Sequence, residues 1–116
     1  MHADVRSLKD ATLVRMSGRL TTLDTWGQLK EVVATLVGDG ERFIVLNLSQ
    51  LSFVDSTFIG ELVACSLVVA RAGGSLRLSS PSRRIQELLL ITRLGQIFET
   101  YETDTEALAG LASGTP

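Results

Sequence analysis

The chain is poor in the residues that most often carry chemistry. Its 116 residues include one histidine, one cysteine and two prolines, and four Phe, one Trp and one Tyr make up an aromatic content of 5%. The single histidine is His2, at the terminus, so no buried Ser-His-Asp or Cys-His constellation is expected. Cys65 and His2 together cannot furnish a tetrahedral zinc set, and neither a metal nor a cofactor is expected. A lone cysteine also forms no intrachain disulfide. Phe43, Phe53, Phe58, Phe98, Trp26 and Tyr101 are too dispersed to build a stacking platform for bases. Eleven basic against thirteen acidic residues give a net charge of -2, and only Arg83-Arg84 sit side by side, which excludes the usual electrostatic footprint of direct nucleic-acid binding. Apolar runs such as Leu67 to Ala70 and Leu88 to Ile91 are too short to enter a bilayer as a span, so no membrane insertion is expected. The opening Met1 to Ser7 lacks the basic-then-apolar order of a signal peptide, and a cytoplasmic location is the expectation.

What is present is 45% hydrophobic residues, enough for the core of one domain, expected over residues 1–112 with a frayed tail at 113–116. Val5 to Leu8 and Leu13 to Leu20 alternate with a period of two and read as a hairpin turning at Lys9-Asp10. Trp26, Leu29, Val33, Leu36 and Val37 recur at helical spacing, with Thr22 or Asp24 available as a cap, Trp26 in the core, and Gly38 and Gly40 as stops. Phe43 to Leu48 is a central strand, followed by a loop from Ser49 to Asp55 and a long helix from Ser56 to Arg71. Ser75 to Leu78 is a short strand. Pro81 is placed at the first position of a third helix, whose buried stripe is Ile85, Leu88, Leu89 and Ile91 and which ends near Gly95. Ile97 to Tyr101 forms an edge strand, and a last helix runs from Thr103 to Leu111 with Thr103 or Asp104 at its start. Strand and helix alternate after residue 42, so the fold class is α/β: a mixed sheet of about five strands with an N-terminal hairpin and about four helices, several of them crossovers.

The chemically informative segment is Asp55-Ser56-Thr57, where an apolar strand gives way to a helix. All three residues are good helix starters, because their oxygens accept hydrogen bonds from N–H groups left unpaired in the first turn. One reading is a capping cluster. The other is a phosphoacceptor: a phosphoryl group on Ser56 would be tolerated by the positive end of the helix dipole while placing a dianion on an exposed rim. On the helix itself, Ile59, Leu62, Val63, Ser66 and Ala70 are expected to face the sheet. Thr57, Glu61, Ala64, Val68 and Arg71 then point away, with Phe58, Cys65 and Val69 on one flank. That flank is either an apolar docking patch rimmed by Glu61 and Arg71 or a contact with a neighbouring helix. Cys65 reads as a small hydrophobe and Asn47 as a satisfied polar group on its strand.

The run Leu46-Asn47-Leu48-Ser49-Gln50-Leu51-Ser52-Phe53-Val54-Asp55-Ser56-Thr57, then Gly60 and Arg71-Ala72-Gly73-Gly74-Ser75-Leu76-Arg77-Leu78, resembles the STAS domain of bacterial anti-sigma-factor antagonists. The similarity extends from Met16-Ser17-Gly18-Arg19-Leu20 to Glu106-Ala107-Leu108. It implies a regulatory binding module and not an enzyme. In that family the serine after the aspartate is phosphorylated by an anti-sigma factor that is also a serine kinase, and a phosphatase resets the switch. The dephosphorylated antagonist binds the anti-sigma factor and frees the sigma factor. Ser56 stands at that position, with Thr57 as the secondary acceptor, and Asp55, Ser56, Thr57, Phe58, Glu61, Cys65, Val68 and Val69 are the expected partner surface. A monomer or weak homodimer is expected. Phe58-Ile59-Gly60 departs from the family's usual Gly-Leu-Gly, and Arg19 stands where an acidic residue is usual. Phe58 motivates an alternative, a constitutive STAS scaffold subunit of a stressosome or of a lipid-transporter ATPase, anchored by that aromatic ring.

Overall fold

The structure is a computed structural model and describes residues 1–21 and 27–112. Thr22, Asp24, Trp26 and the 113–116 tail, to which capping, core and fraying roles were assigned above, lie outside the described residues.

The chain opens with β1 (His2–Ser7) and β2 (Thr12–Leu20), paired antiparallel with Val5 opposite Val14. Leu8 N–H donates to the Ala11 carbonyl at 2.8 Å and closes the turn over Lys9-Asp10. β1 starts three residues earlier than its apolar pattern suggests, because Ala3 pairs with Met16 and packs on the core. β3 (Phe43–Val54), β4 (Ser75–Ser79) and β5 (Glu99–Tyr101) then add in sequence order, all parallel, giving the order β1-β2-β3-β4-β5. The segment 49–54, expected as a loop, belongs to β3. Its polar Ser49, Gln50 and Ser52 are exposed while Leu51 and Val54 are buried, and the far half of β2 pairs with it across two register shifts. The backbone partners offered by β2 outweigh the weak strand preference of Ser and Gln.

Four helices complete the fold: α1 (Gln28–Gly38), α2 (Ser56–Arg71), α3 (Arg83–Ile91) and α4 (Asp104–Ala112). The first three cover one face of the sheet. Leu29 and Val33 of α1, Phe58, Leu62, Cys65 and Val69 of α2, and Ile85 and Leu89 of α3 share a core with Val14, Met16, Ile44, Leu46 and Leu78. α4 covers part of the other face, where Ala107 meets Ala11, Leu13 and Val45. Asn47 Nδ2 and Ser79 Oγ both donate to Asp104 Oδ1, at 2.8 and 2.5 Å, and so tie the start of α4 to the sheet. Asp104 is therefore occupied by the sheet, and Thr103 caps α4 through its Oγ1, which accepts from Glu106 N–H at 3.2 Å.

Three local expectations are corrected. Pro81 precedes the cap of α3 instead of occupying its first turn, and Ser82 Oγ accepts from Ile85 N–H at 3.2 Å. α3 ends at Ile91, with Arg93 in the left-handed region at φ 61°, followed by a 3-10 turn at Leu94–Gln96, so Ile91 lies exposed outside the buried stripe. β5 is correspondingly shorter than the apolar run that begins at Ile97. Between α2 and β4 the chain passes so close to the carbonyl of Arg42 that a Cβ on Gly74 would stand 2.0 Å from that oxygen, and the position admits only glycine without a backbone shift.

Candidate functional site

β3 delivers the chain to the site at its carboxyl end. Val54 is buried, Asp55 is extended at φ -122° and ψ -169°, and Ser56 begins α2. Asp55 Oδ1 accepts from Thr57 N–H at 2.8 Å, while the Asp55 carbonyl accepts from Phe58 N–H at 3.0 Å. Asp55 is thus the N-cap, satisfying a donor that helix geometry leaves unpaired. Ser56 is exposed at the positive end of a 16-residue helix. Thr57 is buried, which sets it apart from Ser56 as a phosphoacceptor.

The rotation of α2 differs from that read from its periodicity. The buried side carries Thr57, Phe58, Glu61, Leu62, Cys65 and Val69, while Val63 and Ala70, expected against the sheet, are exposed. The difference is about one residue position, or roughly 100° around the axis. Apolar side chains surround this helix almost completely, so periodicity alone does not select a side. Phe58, three residues after the Asp55 cap, is fully buried in the core. As a consequence Phe58, Cys65 and Val69 are core residues and form no outward patch, and Glu61 is not a rim charge. Val68 is half-buried.

Glu61 has a role that its sequence position did not signal. Its Oε1 accepts from Leu29 N–H at 3.2 Å and from Lys30 N–H at 3.4 Å, so it caps the first turn of α1 from another helix. Among the described residues its Oε2 has no hydrogen-bond partner. Burial raises its pKa, against the lowering effect of the backbone N–H groups of Lys30, Leu29 and Gly27. The Cys65 thiol is pushed up to about 12, first by burial and then by the Glu61 charge, with Lys30 opposing; at neutral pH it is an unreactive thiol.

The open side of α2 is a different stripe. Ser56, Gly60, Val63, Leu67, Ala70 and Arg71 are all exposed, and no charge interrupts them between Ser56 and Ala70. Val63 and Leu67 keep 37% and 51% of their surface exposed. At the same carboxyl end of the parallel strands, Phe53 is 51% exposed and Arg19 lies over its ring at 5.3 Å to the centroid. Apart from Ser56, these exposed residues were not among the expected partner contacts. The signal for them was the spacing of Gly60, Val63 and Leu67 at four, seven and eleven residues from Ser56.

No group of three or more His, Cys, Asp or Glu side chains that could hold a metal occurs among the described residues, and no helix there is long and apolar enough to cross a membrane.

The sequence model of the STAS domain family matches residues 2–107. A Thermotoga neapolitana protein named as an anti-sigma factor antagonist homologue is 35% identical over 79 residues, which is 68% of this chain and 70% of that protein. The crystal structure of a Thermotoga maritima protein, also named as an anti-sigma factor antagonist, superposes with a TM-score of 0.87 at 23% identity, covering 95% of this chain and 94% of that one. The phosphorylated form of the Bacillus cell fate determinant SpoIIAA superposes with a TM-score of 0.72 at 21% identity, covering 93% and 97%. The matched segment includes the strand that ends at Val54, the Asp55 cap and the helix that begins at Ser56, and the chain belongs to the STAS domain family, with the fold of the anti-sigma factor antagonists.

Proposed function

We propose that this chain is an anti-sigma-factor antagonist whose partner binding is switched by phosphorylation of Ser56. The observation that carries the reading is the exposed Ser56 hydroxyl at one end of an uncharged, open stripe on α2. A partner anti-sigma factor with serine kinase activity would supply ATP. Ser56 Oγ bonds to the γ-phosphorus, the bond to the bridging oxygen breaks, ADP leaves, and the hydroxyl proton passes to a base of the kinase. A phosphatase reverses the modification with water and releases inorganic phosphate. The phosphate is compatible with the helix start, where the dipole and unpaired N–H groups favour an anion. The same dianion borders Gly60, Val63 and Leu67, and desolvating it against a partner that has no arginine there is unfavourable. The dephosphorylated form is therefore the binding form, and its binding to the anti-sigma factor frees the sigma factor.

Phe58 does not obstruct this arrangement, because its ring is directed into the core and adds no bulk beside Ser56. The constitutive scaffold reading rested on Phe58 as an exposed anchor, and that support is removed by its complete burial. Titration of the cognate kinase-type anti-sigma factor with Ser56→Ala and Ser56→Asp variants tests the switch. Ser56→Ala is expected to bind like the unmodified chain and Ser56→Asp about a hundredfold more weakly. Equal affinities for the two variants would overturn the proposal.

A further inference from the structure

The first strand of the sheet has one side unused. β1 pairs with β2, and among the described residues nothing pairs with its outer edge, which leaves a row of backbone donors and acceptors open to another strand. Asp4 and Arg6 project from the face opposite α1, α2 and α3. Both are exposed and neither has an ion-pair partner among the described residues. Val5, 43% exposed, projects from the helix-covered face. There, with Ala3, it borders an open groove of about 470 Å³ whose other wall includes Val32 and Leu36 of α1.

We propose that this edge is a self-association surface, and that its occupant is β1 of a second copy of the chain, paired antiparallel about a two-fold axis at Val5. The charges select that register. With the axis at Val5, Val5 meets Val5 of the other copy, and Asp4 meets Arg6 twice, once on each side of the axis. An axis at Asp4 or at Arg6 would instead set like charges against each other. An axis between two residues is excluded by the pleat: the two-fold axis is normal to the sheet and keeps every residue on its own face, whereas directly opposed residues must share a face, so Asp4 cannot stand opposite Val5. The Val5 register keeps both helix layers on the same side, so the two β1-α1 grooves face each other across the axis and apolar surface is buried beside the new hydrogen bonds. Edge charges usually prevent strand addition. Here a negative and a positive charge two residues apart are self-complementary in one register and repulsive in the neighbouring ones. The interface does not involve Ser56, so it is independent of the phosphorylation switch.

Sedimentation velocity on the full chain over a dilution series tests this, with circular dichroism to show that each variant is folded. The unmodified chain is expected to dimerise. Asp4→Arg and Arg6→Asp each set like charges opposite one another twice, and each is expected to weaken dimerisation roughly tenfold or more. The double variant Asp4→Arg/Arg6→Asp restores both pairs and is expected to dimerise like the unmodified chain. Mixing the two single variants, one with two positive and the other with two negative charges at the edge, is expected to yield a heterodimer tighter than either homodimer. A chain that stays monomeric at every concentration overturns the proposal. So does a dimer unaffected by the swaps, or one that is dissolved by Leu90→Glu, at a leucine of α3 that is 77% exposed, while the swaps do not dissolve it. Amide exchange of the unmodified chain gives a reading that needs no variant: protection is expected to rise with concentration across Ala3–Ser7, and protection that rises only elsewhere also overturns it.

Discussion

The two sides of α2 are made of the same kinds of residue and have opposite fates. On one side Phe58, Leu62, Cys65 and Val69 are closed against the sheet; on the other Val63 and Leu67, no less apolar, stand open beside Ser56. Hydrophobicity does not separate them. What separates them is where the helix is held: Asp55 fixes its first turn, Phe58 enters the core at once, and Glu61 meets the start of α1. With those contacts made, Gly60, Val63 and Leu67 have nowhere to turn but outward. A helix of this composition is held in its layer and still leaves an apolar stripe exposed.

Changes on the two sides of α2 should differ in kind. The largest effect is expected for Phe58→Ala, which removes a fully buried ring and leaves a cavity; it should lower the unfolding free energy by about 3–5 kcal/mol, measured by urea denaturation. A loss below about 1 kcal/mol would place Phe58 in a looser setting and break the contrast between the two sides. Next is Leu67→Asp on the open side. It should change stability by no more than about 0.5 kcal/mol and weaken binding of the anti-sigma factor about tenfold, measured by calorimetric titration. Unchanged binding would remove Leu67 from the docking stripe and sharpen the boundary of that surface.

The smallest effect is expected for Glu61→Gln. Burial raises the Glu61 pKa above 4.5, so the folded chain holds this proton to higher pH than the unfolded chain does. Its protonation therefore contributes stability that is complete below 4.5 and is lost as the pH rises through the folded value. A glutamine keeps an oxygen for the N–H groups of Leu29 and Lys30 and carries no charge. Relative to the unmodified chain, the variant should gain in Tm as pH rises through that window and be at least as stable at neutral pH. A Tm difference that does not change with pH would show that Glu61 is not held in a buried setting.

Asp55 was legible as a cap because its bond to Thr57 spans two residues, within reach of a local pattern. Phe43 to Leu48 was legible as a strand because both its alternating faces are apolar, whereas residues 49–54 were not, since only pairing with the far half of β2, across two register shifts in which β3 carries the extra residue, makes a strand of them. Pro81 was assigned to the helix by its own preference, and Ser82 outcompeted it as the point of entry by accepting from Ile85 N–H. The capping role of Glu61 had no sequence signal, because its partner Leu29 lies 32 residues away. Of the residues expected to contact a partner, Phe58, Glu61, Cys65 and Val69 are buried, because the side of α2 that meets the sheet is not the one its periodicity suggested.

By itself the sequence determined the order of strands and helices, the start of α2 at Ser56, and the lack of residues for a histidine-based or zinc-based reaction, since these depend on composition and on hydrogen bonds between near neighbours. Only the tertiary structure decided which side of α2 is buried, that Phe58 is core and not anchor, that Glu61 holds the start of α1, and that β1 ends the sheet with its edge open. Burial is a property of two surfaces. A helix that is apolar nearly all round carries no information about which of its sides will meet the sheet until the sheet is there.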